Sequence, residues 1–386
     1  MIQKVSFRNY KAYRSLDLEL EPFTVLVGPN ASGKTTLLGG LDFISNLGAL
    51  SIRGSPLLMR PGVQSYGASA PVEIGIEGSW SGTEGSFRAT STRAASERPG
   101  AEADGQYFKA MGTWGGTLFH VGETRPSLFR LDTFNPPLDV FSAALGSTAI
   151  LRFEPHRLTE ASYSEEDIPR IRSDGSGLAS VLAHLKLSSD EIFDEIELAL
   201  KQVVPAVRRI RIERAAVEQT AIRTISLDEQ RHEVPEKRTL WGNKIVLDMR
   251  GAKGISADAA GEGTIMALGL LTVLMGPKKP RLVLLDDIEL GLHPAAQGKL
   301  IELLRKIQAR DSELQIIATS HSPFILNYLD PKEVRMTFLA ENGFARCEKL
   351  TAHPEFERWK DLMSPGEFWS TVGESWVEKA GETTGP

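Results

Sequence analysis

The sequence predicts an α/β fold built on a mixed, largely parallel sheet, with an antiparallel β subdomain and a helical insertion. Apolar strands and helices alternate from residue 261 onwards, which is typical of parallel strands joined by helical crossovers. Residues 72–78 and 85–92 alternate between apolar and other side chains, which indicates antiparallel hairpin strands. Residues 164–204 carry apolar positions three and four apart, which is the spacing of helices.

The N-terminal part begins with predicted strands at residues 2–8 and 16–27. The second one ends in Phe23–Val27, a nearly continuous apolar run that suits a buried strand. A glycine-rich turn follows, and residues 34–46 then show helical spacing. Residues 93–105 are expected to form a surface loop, because small and polar side chains dominate there.

The rest of the chain supplies the other predicted elements. The apolar run at 149–153 is expected to return to the sheet, and residues 207–227 and 239–250 alternate as a second antiparallel element. The parallel part is predicted as a helix at 263–275, a strand at 281–286, a helix at 295–310, a strand at 314–319 and a helix at 322–328.

Composition excludes several classes of protein. The 386 residues carry a formal net charge of −6, are 41% hydrophobic and include one cysteine, Cys347. Disorder, a collagen-like fibre and a disulfide scaffold are thereby excluded, and a lone cysteine favours a reducing compartment. The longest apolar stretch, Met266–Met275, is too short to span a bilayer, and the first residues lack the apolar segment of a secretory signal. We therefore expect a cytoplasmic protein without a membrane partner.

A phosphate-binding loop is the most specific motif in the chain. Gly28 and the triplet Gly33-Lys34-Thr35 fit the P-loop pattern of a glycine, four residues and Gly-Lys-Thr. Such glycines let backbone N–H groups point at phosphate oxygens, and the following helix adds its positive N-terminal end. Lys34 is predicted to reach the β- and γ-phosphates, and Thr35 to bind Mg²⁺. The predicted nucleotide-binding residues are Gly28, Pro29, Asn30, Ala31, Ser32, Gly33, Lys34, Thr35 and Thr36.

Acidic residues follow the hydrophobic strand that starts at Arg281. Asp286 is predicted to be a Mg²⁺ ligand, because ligands of open α/β sheets bind outside the carboxyl ends of the strands. Asp287 is placed to orient or deprotonate an attacking water. His321 follows the next predicted strand and is expected to bond the γ-phosphate. The structural alternatives are a solvated acidic turn and a histidine without a role in catalysis.

Three stretches together resemble the ABC-type ATPase superfamily: the Asn30 form of the P-loop, LVLLDDIELGLHP from residue 282, and IIATSHSP from residue 316. Within it the chain is similar to the RecF/SMC-like branch, and specifically to the AAA ATPases grouped with OLD and abortive-infection proteins, without a fused nuclease domain. The resemblance implies the fold of an ABC-ATPase head, with ATP and Mg²⁺ as ligands and ATP hydrolysis as the activity.

The resemblance also implies how the chain is organised. Four segments are expected: an N-terminal lobe with the P-loop and hairpins at 1–160, the helical insertion at 161–206, a C-terminal lobe at 207–345 and a tail at 346–386 that packs on the head.

In that superfamily two heads enclose two nucleotides, and a signature segment of the opposite subunit closes each site. The residues that match this segment are Gly261, Glu262 and Gly263, at the start of a predicted helix. A helix N-terminus with flanking glycines suits a γ-phosphate, although a simple helix-capping loop is the alternative. The resemblance therefore implies a homodimer, with Gly291–Pro294 at its seam.

Two positions depart from the family pattern. Gly261 stands where the family usually has serine, and Asp287 stands where it usually has glutamate. A hydroxyl donor is missing and the acid is one methylene shorter, while general-base positioning is worth about 10²–10⁴-fold in rate. We therefore expect slow turnover, and Glu289, two residues further along, is not assigned a compensating role.

Three functional hypotheses follow. The leading one is a dimeric ATPase switch of bacterial anti-phage defence or toxin-type systems, which controls a separately encoded nuclease or toxin-like effector. The second is a DNA-repair-type clamp that acts directly on DNA, for which the basic stretch Val207–Arg214 offers a possible contact, although a solvated sheet face is the simpler interpretation. The third, a transporter nucleotide-binding subunit, is disfavoured by the atypical signature segment.

Overall fold

The computed structural model describes residues 1–49, 64–65, 67, 70–93, 106–124, 136–227 and 230–372. The loop predicted at 93–105 lies outside these residues except for its first position. The chain divides into two compact units. Unit 1 comprises the described parts of 1–150, 280–289 and 305–386, and unit 2 those of 151–279 and 290–304. The four-segment organisation inferred from the sequence stays a prediction.

The described residues of both units contain β-strands. They are β1 (Ile2–Tyr10), β2 (Tyr13–Glu19), β3 (Phe23–Val27), β4 (Val72–Trp80), β5 (Thr83–Arg93), β6 (Gln106–Trp114), β7 (Thr117–Thr124), β8 (Thr148–Leu151), β9 (Val207–Leu227), β10 (Gln230–Met249), β11 (Ala252–Ser256), β12 (Leu282–Leu285), β13 (Gln315–Ser320), β14 (Val334–Leu339) and β15 (Ala345–Lys349).

Helices connect these strands. They are α1 (Lys34–Gly48), α2 (Pro136–Leu145), α3 (Pro155–Thr159), α4 (Leu178–Ser188), α5 (Asp190–Val203), α6 (Glu262–Met275), α7 (Pro294–Arg310), α8 (Pro323–Leu326), α9 (Phe356–Trp359) and α10 (Pro365–Val372). Within the described part of the chain, no helix is long and apolar enough to cross a membrane.

A mixed six-stranded sheet forms the centre of unit 1, in the order β15-β14-β3-β13-β12-β8. Strands β12, β13, β3 and β14 run parallel to one another, whereas β15 runs antiparallel to β14. Every residue of β3, β12 and β13 is buried, as expected for parallel strands covered on both faces. The pairings Val27↔Ser320 and Leu285↔Ala318 bring the carboxyl ends of these three strands to one edge of the sheet.

An antiparallel sheet completes unit 1, in the order β2-β1-β4-β5-β6-β7. The sequence predicted one strand over 16–27, and this was wrong. β2 ends at Glu19, β3 begins at Phe23, and the two belong to different sheets. The physical reason is the intervening Glu21-Pro22, because proline has no N–H to donate to a continuing ladder.

A single apolar core joins these two sheets and α1. Phe7, Leu26, Leu37 and Leu41 are fully buried members of it, which come from β1, β3 and α1. Burial of one such side chain stabilises the fold by about 1.5–3 kcal/mol. The start of α1 is therefore fixed relative to the carboxyl end of β3.

Unit 2 is built from α3–α7 and a three-stranded sheet in the order β11-β10-β9. The predicted helical insertion is present as α4 and α5, and α5 buries one face through Phe193, Ile196 and Leu200. The second strand predicted at 239–250 starts earlier, at Gln230. β10 pairs with β9 from Gln230, which lies opposite Leu227. The pairing with β9 therefore extends β10 towards its N-terminus, beyond the alternating sequence pattern that begins at residue 239.

Candidate nucleotide-binding site

The P-loop connects β3 to α1 in unit 1. Three of its residues have positive φ angles: Gly28 at 152°, Ala31 at 63° and Gly33 at 101°. A Cβ atom on Gly28 would lie 2.0 Å from the backbone oxygen of Thr337, so a side chain does not fit there. The glycines thus permit the tight backbone path that the motif predicts.

Lys34 is the first residue of α1, and its side chain returns over the loop. Its Nζ donates hydrogen bonds to the backbone oxygens of Gly28 and Pro29, both at 2.7 Å. Only 5% of the residue is exposed. The positive charge is therefore held within the loop, where phosphate oxygens of a nucleotide would meet it.

The N-terminus of α1 suits an anion. Its N-cap residue is Gly33, no described side chain caps it, and its first turn contains no acidic residue. Thr35 is exposed, whereas Ser32 is buried with its Oγ 2.6 Å from Oγ1 of Thr337. Thr35 can therefore offer its hydroxyl to a cation, and Ser32 can offer a ligand only its backbone. The other exposed loop residues are Pro29, Asn30 and Ala31, while Thr36 is half-buried.

Asp286 lies at the carboxyl end of β12 and is held by a threonine on the neighbouring strand. Oγ1 of Thr319 donates to Oδ1 of Asp286 at 2.7 Å and accepts the backbone N–H of Asp287 at 2.8 Å. Thr319 is fully buried. Sequence reasoning missed this residue, although a polar side chain within an otherwise apolar strand was an available signal.

Asp287 and His321 lie side by side at this edge. Nε2 of His321 is 3.7 Å from Oδ1 of Asp287, whose side chain is 57% exposed. Desolvation raises the pKa of the Asp287 carboxyl, and Glu289 and Asp286 raise it further, while His321 and Lys34 act in the opposite direction. We call residues 286–289, which follow β12, the acidic turn, and the residues around His321, which follow β13, the histidine turn. Charges from the P-loop and from both turns therefore act on Asp287.

Glu289 is a further acidic residue of this edge. Its Oε1 accepts the backbone N–H of His321 at 2.8 Å. Its Oε2 is buried and has no hydrogen-bond partner among the described residues. The sequence argument gave Glu289 no role, because its contact with the histidine turn depends on the fold rather than on local spacing.

The predicted signature segment lies in unit 2. Gly261 is the N-cap residue of α6, with φ of −60°, and no described side chain caps the helix. Gly261 and Glu262 are exposed, whereas Gly263 is buried. A Cβ on Gly263 would lie 3.0 Å from the backbone oxygen of Gly291, so these two glycines allow the segment to pack closely on the loop before α7.

The residues of unit 1 fit ATP and Mg²⁺. The cradle at Gly28 and Gly33 has no space for side chains, and the Lys34 ammonium is fixed within it. A hydroxyl at Thr35 and a carboxylate at Asp286 are the hard oxygen ligands that Mg²⁺ prefers. No group of three or more metal-ligating side chains exists among the described residues. In nucleotide sites Mg²⁺ usually keeps several waters and binds substrate phosphates in addition to one or two protein oxygens.

Comparisons with known proteins agree with this geometry. A family model described as "AAA domain, putative AbiEii toxin, Type IV TA system" matches residues 23–327. The OLD nuclease of Thermus scotoductus is 23% identical over 351 residues, which are 84% of this chain and 59% of that protein. The DNA replication and repair protein RecF of Kineococcus radiotolerans is 32% identical over 75 residues, 19% of each chain. The chain thus matches 59% of the length of the OLD nuclease and 19% of that of RecF.

A solved structure has the same fold. The SMC head, bound in that structure to the C-winged helix domain of ScpA, superposes with a TM-score of 0.54 and 14% sequence identity. The match covers 90% of this chain and 96% of the other. The fold predicted from the sequence, that of an ABC-ATPase head with a mixed sheet and an antiparallel β subdomain, is confirmed.

Proposed function

Because the chain belongs to this AAA family, as an ABC-type ATPase of the OLD, RecF and SMC kind, we propose that it is a slowly hydrolysing, ATP-gated dimeric switch. The observation that carries the proposal is the sheet edge of unit 1. Three neighbouring strands there present a phosphate cradle, two acidic residues and a histidine. This combination suits phosphoryl transfer, because its catalysis consists mainly of positioning and charge stabilisation.

In the proposed reaction, Lys34 and the first N–H groups of α1 bind the phosphates. Thr35 and Asp286 would hold Mg²⁺, which neutralises charge on the phosphate oxygens when bound. Asp287 accepts a proton from the attacking water, and His321 orients the γ-phosphate beside it. The 3.7 Å approach of His321 to Asp287 supports this assignment of roles.

Slow hydrolysis is part of the proposal. The Asp287 side chain is short and 57% exposed, so solvent competes for the carboxylate that should position the water. Gly261 brings no hydroxyl to the signature segment. Both features weaken groups that act in the transition state, whereas the P-loop residues that bind the phosphates are all present. The protein is therefore suited to hold ATP for longer than it takes an efficient ATPase to cleave it.

We propose that the active form is a homodimer, as the resemblance to ABC-type ATPases implies. The phosphate cradle is in unit 1, whereas the uncapped N-terminus of α6, with Gly261 and Glu262 exposed, is in unit 2. We propose that this segment closes the nucleotide site of a second subunit. ATP bound between two chains then acts as the contact that the switch makes and breaks.

The output of the switch is proposed to be a separately encoded nuclease or toxin-like effector in an anti-phage or toxin-type system. The family description names a type IV TA system, and one relative is named a nuclease. Cytoplasmic location is part of the same proposal. Pull-down with tagged protein from its own host, with and without ATP, would identify such an effector by its ATP-dependent recovery.

A DNA-repair-type clamp is the second candidate, favoured by the match to RecF. The exposed Arg208, Arg209 and Arg214 of β9 could contact phosphates. Arg211 of the same strand, however, lies 3.7 Å from Glu213 and 3.5 Å from Asp248 of β10, so acidic groups offset its charge. This partial neutralisation favours a solvated face over a DNA track.

Steady-state ATP hydrolysis with and without double-stranded DNA separates the two functions, with Lys34→Ala as the blank. Slow turnover that DNA leaves unchanged is expected for the switch. Stimulation by DNA of about tenfold or more would overturn it in favour of the clamp.

A further inference from the structure

The turn after β12 directs Glu289 back towards the neighbouring strand. Asp287 and Leu290, on either side of it, have φ angles of 56° and 49°. Left-handed conformations of residues other than glycine cost about 1–3 kcal/mol each. Two of them within four residues indicate that the path of this turn is maintained against its local preference.

The Glu289 side chain makes one hydrogen bond to the described part of the chain, and this bond joins two turns. Oε1 accepts the backbone N–H of His321 at 2.8 Å, across 32 residues of sequence. The backbone of Asp287 is bonded separately, to Oγ1 of Thr319 at 2.8 Å. The hydrogen bond of Glu289 therefore fixes the backbone of His321 to the acidic turn, whereas the bonds of Thr319 fix Asp286 and Asp287.

The second carboxylate oxygen of Glu289 makes this arrangement costly. Oε2 is buried without a hydrogen-bond partner among the described residues. A buried polar atom without a partner is unfavourable by about 1–3 kcal/mol, and more when it is charged. An apolar or shorter residue would avoid this cost but would leave the N–H of His321 without its acceptor.

We propose that Glu289 is a positioning residue, which holds the backbone of His321 so that the imidazole stays beside the Asp287 carboxylate. Its effect on catalysis rests on the proposed ATPase function, whereas its effect on His321 does not. The histidine then does not have to be ordered by the nucleotide itself. A side chain that approaches Asp287 to 3.7 Å is already in place before the γ-phosphate arrives.

The contact can be observed without ATP. The chain has seven histidines, so protein labelled with ¹⁵N-histidine gives few amide signals, and His321→Asn identifies that of His321. We expect this amide to exchange with solvent about tenfold faster in Glu289→Ala than in the parent, and at a nearly parental rate in Glu289→Gln, which keeps an acceptor oxygen. Glu302→Ala, an exposed glutamate of α7, is the control and leaves the signal unchanged.

A double-mutant cycle tests the link to catalysis. Glu289→Ala is expected to lower kcat about tenfold with KM nearly unchanged, and Glu289→Gln to restore most of the loss. In a His321→Ala background Glu289→Ala should cause no further loss, because both changes remove the same positioned imidazole. Equal losses in both backgrounds would overturn the proposal.

Failure of the inference and failure of the proposed function give different results. If no variant or parent hydrolyses ATP, the ATPase proposal fails, and the amide signal still decides whether Glu289 holds His321. If Glu289→Ala does not fold, amide exchange of His321 in the parent and in Glu289→Gln decides the inference. An unprotected His321 amide in the parent, or one that Glu289→Gln leaves unprotected, would overturn the inference.

Discussion

The P-loop follows β3 and the acidic turn follows β12, and these two strands lie on either side of β13. Different kinds of contact hold the P-loop and the acidic turn in place. The P-loop is shaped by its own backbone, with Gly28 and Gly33 at positive φ and Lys34 bonded to carbonyls of the same loop. The acidic turn is held by side-chain bonds to another strand, of which Thr319 to Asp286 is the shortest at 2.7 Å. The P-loop is thus shaped largely by local contacts, with the bond of Ser32 to Thr337 as a tertiary addition, whereas the acidic turn depends on tertiary contacts with β13.

The two halves of the site can therefore be disrupted by different substitutions. Changes within the P-loop should abolish binding or folding whatever the rest of the chain does. Changes on β13, outside both motifs, should slow hydrolysis while ATP still binds. The following substitutions separate these two outcomes.

The largest effect is expected for Lys34→Ala. It removes the ammonium held between the Gly28 and Pro29 carbonyls, so ATP affinity should fall by about 100-fold or more. Binding of a fluorescent ATP analogue measures this. Lys306→Ala, an exposed lysine of α7, is the control. Unchanged ATP affinity in Lys34→Ala would rule out the P-loop assignment.

Gly28→Ala should destabilise the protein strongly. Its Cβ would lie 2.0 Å from the Thr337 backbone oxygen, so the free energy of unfolding should fall by about 2–5 kcal/mol. Gly261→Ala is the matched control, because its φ is −60° and the nearest atom to its Cβ is 3.8 Å away. Urea unfolding should show a loss of no more than about 1 kcal/mol for that control. Equal losses in both variants would argue against a closed cradle at Gly28.

Thr319→Val tests the acidic turn. It removes the bonds to Asp286 and to the Asp287 backbone, so kcat should fall about tenfold while ATP binding persists. Thr24→Val is the matched control, because Thr24 is also fully buried but bonds only the backbone of Glu21. A similar loss of kcat in both variants would mean that general destabilisation, and not the acidic turn, controls the rate.

The smallest expected effects are those of two substitutions that should raise turnover. Asp287→Glu lengthens the acid by one methylene, and Gly261→Ser adds the hydroxyl that the family usually carries, so each should raise kcat by about two- to tenfold. Steady-state hydrolysis at saturating ATP measures both. If the double variant is no faster than the parent, an absent activator, and not these two residues, limits turnover.

The same comparison explains how much of the site the sequence could predict. The P-loop backbone has the tight path that its motif predicts, because its glycines and lysine are adjacent in sequence. That these residues bind a nucleotide stays a prediction. Asp286, Asp287 and His321 were found as strand-end residues, since parallel strands bring their carboxyl ends to one edge. Thr319 and Glu289 were not found, because their importance comes from a pairing register that only the folded sheet defines.

The fold shows the same division. The elements between residues 261 and 328 were predicted with small errors at their ends, because strand and helix periods alternate there, whereas the parallel strand β14 was not predicted. The join between β2 and β3 was missed, since two apolar strands that belong to different sheets are separated by only three residues. Sheet membership is a non-local property that alternation of side chains does not encode.

The central claim, that one chain closes the nucleotide site of another, can be tested by cross-linking. A cysteine at Asn30→Cys in the exposed P-loop and another at Glu262→Cys in the exposed signature segment would face each other across two subunits. The native Cys347 is buried and burial raises the pKa of its thiol far above the usual range, so it should not react. With ATP and a short bis-maleimide, the double variant should form covalent dimers, whereas each single variant, or the double variant carrying Lys34→Ala, should not. The absence of ATP-dependent dimers in the folded double variant would contradict the nucleotide sandwich.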